Sequence, residues 1–118
     1  MTLTTHLGAI LCVALIAAGQ VMFKLVASAL HSSGRIFDGA VVGWGIAALS
    51  IYGVATLLWI VLLQTAPLGR LYPYMALSFV LVALASWFLF HETVSVGHLA
   101  GLALIVGGLL VIATSAPA

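Results

Sequence analysis

The chain has 118 residues, of which 65% are hydrophobic and 4% charged, and its formal net charge is +1. A soluble domain draws about a quarter of its residues from Asp, Glu, Lys and Arg, so this composition excludes a solvated globular surface. Three Lys or Arg residues are too few to neutralise the phosphates that nucleic-acid binding requires. The single cysteine, Cys12, lies in an apolar run, which excludes a disulfide framework and a thiolate metal cluster. An integral membrane protein remains.

About 20 apolar residues cross a bilayer core, and four such segments are bounded by charge, proline or small polar residues. They run over about 7–30, 40–63, 71–90 and 94–113. Each must be helical, because lipid offers exposed backbone no partner and barrel strands would be about half as long. The expected fold is all-α, a single domain over 1–118 in which four transmembrane helices alternate in direction and function as a dimer. The first segment reads as a retained helix, not a signal peptide: no basic residue precedes it and Lys24 interrupts its far end.

In chain order, the first helix carries Gln20, Lys24 and Ser28 at a spacing of four, a polar stripe on one face. A Lys near a helix centre costs about 2.5 to 3.5 kcal/mol on insertion. With the helix ending near Leu30, Lys24 lies roughly 10 Å inside that end, within reach of snorkelling. The stripe therefore reads either as the lining of a cavity or as an anchor with a helix-bridging Gln20.

The third helix opens Ala66-Pro67-Leu68-Gly69-Arg70-Leu71-Tyr72-Pro73-Tyr74. A proline inside a helix removes a backbone bond, and the expected break leaves backbone groups near Arg70 and Tyr72 free to grip an anionic head group. The alternative is an aromatic belt with an orienting Arg. At the next boundary, His91-Glu92-Thr93-Val94-Ser95 supplies a capping residue in Thr93 or Ser95 and an acid in Glu92 close to the positive end of the fourth helix. In that helix Gly97 and Gly101, continued by Gly107 and Gly108, form a low-profile surface for helix packing or dimerisation.

The four His residues are too scattered for a metal site, and no cofactor is expected. No Ser, His and acid set, nucleotide-binding glycine loop or paired carboxylates support an enzyme. Lys24 and Arg35 against Arg70 is too small a difference to fix orientation.

Three stretches, Gly19-Gln20-Val21-Met22-Phe23-Lys24, Leu63 through Pro73, and His91 through Ser95 leading to Gly101 and Gly107-Gly108, resemble the four-helix branch of the drug/metabolite transporter superfamily, the EamA and small multidrug resistance-like proteins. Within it the likeness is to the ArnE and ArnF group, subunits associated with moving aminoarabinose-modified undecaprenyl phosphate across the bacterial inner membrane. The resemblance covers nearly the whole chain and implies a lipid flippase subunit. Small multidrug resistance proteins carry a glutamate two turns before the position of Lys24; here that position is Ile16. Proton-coupled export of hydrophobic cations, with Glu92 replacing that carboxylate, is the alternative reading, and a non-transporting membrane partner is a third.

On the leading reading, Lys24 and Arg70 compensate the phosphate, Gln20 and Tyr72 bond sugar or phosphate oxygens, and Glu92 pairs with an amino sugar or braces a helix end. These five assignments rest on motif position and polarity. The expected partners are a polyprenyl-phosphate sugar and a second small subunit, identical or similar.

Overall fold

The structure, a computed structural model, describes residues 2–115. Four helices are long and apolar enough to cross a membrane: α1 (Leu3–Ser33), α2 (Gly39–Leu63), α3 (Leu68–Leu89) and α4 (Val96–Thr114). The described residues contain no strand. Both ends of α1 overrun the expected boundaries, and α3 starts three residues earlier than expected. Helix α1 begins at Leu3, where Thr2 caps the Thr5 amide, and ends at Ser33, where Gly34 adopts the left-handed conformation and returns its N–H to Leu30. Helix α2 is capped by Asp38, whose other carboxylate oxygen holds Arg35 at 3.2 Å.

Helices α1 and α2 form the most extensively packed pair. On α2 the buried residues are Val41, Ala48, Ala55 and Leu62, a seven-residue repeat that keeps one seam facing its neighbour. Helix α1 buries Thr5, Ala9, Cys12, Val13, Ala17 and Gly19 against its neighbours, and of these Cys12 and Gly19 meet α2 directly. These are mostly small side chains, which let two membrane helices approach closely and gain dispersion contacts that lipid would otherwise supply. A Cβ on Gly19 would overlap the Tyr52 ring, and one on Gly8 would press on Leu62. The Cys12 thiol donates to the Ala55 carbonyl at 3.2 Å. Its S–H thus meets a partner within the seam.

Helix α3 packs against the other side of α1, and α4 packs on α3. The helices therefore lie in the row α2, α1, α3, α4. The extents, 52 × 37 × 17 Å, describe an open, flattened bundle, since four helices packed two by two at 8–10 Å spacing would be nearly square in section. The core lies where α1, α2 and the start of α3 meet, with Leu71 and Val13 fully buried. Helix α4 buries no residue. Between α3 and α4 runs an apolar groove of about 670 Å³, lined by residues including Ala83, Trp87, Leu102 and Val106.

The start of α3 corrects one expectation. Leu68–Leu71 form one helical turn, Tyr72–Tyr74 tighten into a 3-10 turn, and Met75–Leu89 continue as α-helix. The amides of Arg70 and Leu71 return to the Pro67 carbonyl and that of Tyr72 to Leu68. The 3-10 turn accommodates Pro73. The backbone donors expected to be free near Arg70 and Tyr72 are satisfied.

Candidate functional site

Gln20, Lys24 and Glu92 come together. With Val21, Val82, Ala85, Ser86 and Phe90 they line a cleft of about 240 Å³ between α1 and the C-terminal end of α3. Gln20 and Lys24 are one turn apart on α1 and share a face by helical period. Glu92 is delivered by the turn after α3. There His91 adopts a left-handed conformation, φ 53°, tolerated by His better than by most non-glycine residues. The Glu92 amide returns to the Ser86 carbonyl at 3.1 Å, folding the turn back onto the helix end. Ser95 then caps α4 by accepting from the His98 amide at 3.1 Å. Glu92 lies before this cap.

Lys24 Nζ stands 3.8 Å from Glu92 Oε1, and the protein leaves about half of each side chain uncovered, 51% and 48%. Because α1 runs to Ser33, Lys24 sits nine residues inside its end, about 14 Å by helical rise, deeper than a boundary at Leu30 implies. A cation at that depth is costly to insert, and Glu92 supplies its counter-charge. With the Lys stem allowed for, the α3–α4 turn is recessed below the α1–α2 loop by on the order of 10 Å. Ser28 does not line the cleft. Ser86, which does, is invisible in the sequence because a single Ser in an apolar helix is unremarkable.

Arg70 and Tyr72 lie elsewhere. They open α3 while Glu92 follows its end, so by helical rise the two groups are on the order of 30 Å apart, at opposite membrane faces. Tyr72 packs edge-on against Trp59, ring centroids 6.3 Å apart, as in an aromatic belt. Beside it the buried Tyr74 hydroxyl is hydrogen-bonded to His6 Nδ1, a tie across 68 positions that no local pattern announces. Among the described residues no cluster of three or more His, Cys, Asp or Glu is placed to hold a metal.

Of the glycines on α4, Gly97, Gly101 and Gly108 fall within about 40° of one another on the helical wheel, on the side away from the apolar groove. A Cβ added at Gly101, Gly107 or Gly108 would meet nothing within 4 Å. Gly107 itself lines the groove.

No family model and no solved structure matches the chain. Curated proteins do. The chain is 38% identical over 112 residues to a probable 4-amino-4-deoxy-L-arabinose-phosphoundecaprenol flippase subunit ArnE of Salmonella newport, covering 93% of this chain and 99% of that protein. The same name belongs to a Salmonella paratyphi B protein, 38% identical over 98 residues with 83% and 86% covered. A third, from Salmonella paratyphi C, is 44% identical over 69 residues, or 58% and 62% of the two chains. With identity sustained across four membrane-crossing helices, the chain belongs to the ArnE family of flippase subunits.

Proposed function

We propose that this chain is a subunit of a flippase that carries 4-amino-4-deoxy-L-arabinose-phosphoundecaprenol, the lipid in its relatives' name, across the bilayer. The protein is a multi-pass protein of the bacterial inner membrane. The observation that carries the proposal is the Lys24–Glu92 pair in the cleft that also holds Gln20 and Ser86. The head group bears a phosphate anion and an amine. Lys24 turns to the phosphate and Glu92 to the ammonium, so the internal pair is exchanged for two external pairs and no charge is left unbalanced in a low-dielectric site. Gln20 bonds sugar or phosphate oxygens, and the prenyl chain stays in the hydrocarbon.

Arg70 and Tyr72, at the opposite face, serve as a second polar station for the head group as it leaves or enters the other leaflet. The role is transport, not catalysis.

A flattened row of helices leaves the cleft open on a face of the protomer. A second small subunit, identical or similar, completes it through the outward Gly97, Gly101 and Gly108 face of α4, with Gly107 at its margin, where small residues permit close helix approach. Lys24→Ala is expected to abolish lipid flipping in proteoliposomes while the purified protein keeps its helical content and elution volume. Flipping retained by that variant would remove Lys24 from the site.

A further inference from the structure

Tyr52 belongs to no motif, yet three features tie it to α1 beside the cleft, one of them through the cleft residue Gln20. Its hydroxyl accepts a hydrogen bond from Gln20 Nε2. Its ring stacks at a tilt on Phe23, centroids 5.1 Å apart and planes at 34°. Its edge occupies the space that a side chain at Gly19 would fill. Gly19, Gln20 and Phe23 are thus three contacts within one turn of α1 with one α2 residue, and Tyr52 sits close to the midpoint of the 25-residue α2.

A free Gln side chain at such a depth has many rotamers and presents donor and acceptor interchangeably. Here the carboxamide nitrogen is engaged by Tyr52, and Oε1 has no hydrogen-bond partner among the described residues, while the side chain lines the cleft. We propose that Tyr52 is a positioning residue that orients Gln20 so that the cleft is offered its carbonyl oxygen. Besides the Ser86 hydroxyl, the cleft then presents one cation, Lys24, and two acceptors, Glu92 and Gln20 Oε1. The free acceptor at Gln20 suits hydroxyl or ammonium donors of a sugar, while only the second N–H of the carboxamide is left for a phosphate oxygen. This inference rests on the flippase reading for its ligand, but its structural half does not.

Tyr52→Phe keeps the ring, its packing on Gly19 and its stacking on Phe23, and removes only the hydroxyl. Two readouts are taken in nanodiscs. The first is the ¹⁵N side-chain amide signal of Gln20 without lipid: ordered in the wild type, averaged in Tyr52→Phe, with the backbone spectrum unchanged. The second is binding of the aminoarabinose phosphoundecaprenol lipid against undecaprenyl phosphate. Loss of one oriented hydrogen bond is expected to weaken the amino-sugar lipid about threefold to tenfold and to weaken undecaprenyl phosphate distinctly less. Gln20→Ala is expected to match this, and the double variant to be no worse than Gln20→Ala. A Gln20 amide that stays ordered in Tyr52→Phe, or equal weakening of both lipids, overturns the role of Tyr52. Failure of the wild type to bind either lipid overturns the flippase reading, and the amide signal still decides whether Tyr52 orients Gln20.

Discussion

Helices α1 and α4 are both apolar spans, yet the protein uses them oppositely. Helix α1 is gripped on two sides, by α2 through a seam of small residues and by α3, and it buries Ala9, Cys12 and Val13 completely. Helix α4 packs on α3 and buries nothing. The glycines differ in the same way. Gly8 and Gly19 of α1 are filled against side chains of α2, whereas Gly101 and Gly108 of α4 face open space. The same residue type thus marks an interface already made in one helix and one left to be made in the other. Helix α1, packed on two sides, holds Gln20 and Lys24 in register, while α4, joined to α3 by the turn that carries Glu92, keeps most of its surface uncovered.

The contrast breaks most readily in the seam. Gly19→Leu must displace Tyr52 and is expected to destabilise the protomer by about 3 kcal/mol, measured by reversible unfolding in bicelles. Stability unchanged by this variant would mean that α1 and α2 are not closely packed there. Leu62→Ala, at the other end of the seam, is expected to cost about 2 kcal/mol through lost contacts. Gly101→Leu sharpens the comparison from the other side. The protomer's own unfolding should move by less than about 0.5 kcal/mol, as for a surface change, while subunit association, followed by energy transfer between labelled protomers, weakens severalfold. At the turn the expected change is small and of opposite sign to that in the seam. His91→Gly removes the cost of a positive φ and should stabilise by at most about 1 kcal/mol, whereas His91→Val at the same φ should loosen the turn and lower affinity for an amino-sugar lipid.

The sequence made the four spans legible because length and apolarity decide them, and it made Gln20 and Lys24 legible because polar residues stand out in a membrane helix. The cap of α4 was legible as one of two candidates, Thr93 and Ser95, and Ser95 is the one that caps. Glu92 was visible as an acid, but its partner was not, because their meeting depends on α3 lying next to α1 and on the chain folding back at His91. Grouping Arg70 and Tyr72 with Lys24 followed motif position and polarity, although the alternating helix directions already assign the second loop to the opposite face. The seven-residue repeat of Val41, Ala48, Ala55 and Leu62 was present in the sequence and would have predicted the α1–α2 seam. Tyr52 carried no signal, since a tyrosine in a membrane helix declares neither depth nor partner.

The central claim is that the Lys24–Glu92 cleft holds a zwitterionic polyprenyl phosphate head group. Native mass spectrometry of the gently solubilised protein tests it most directly, because it reads subunit stoichiometry and retained lipid together. The account predicts a complex of two small subunits carrying the amino-sugar polyprenyl phosphate, with the lipid lost in Lys24→Ala and weakened in Glu92→Gln while the subunits stay associated. Retention of ordinary phospholipid alone, equally by wild type and both variants, would contradict it.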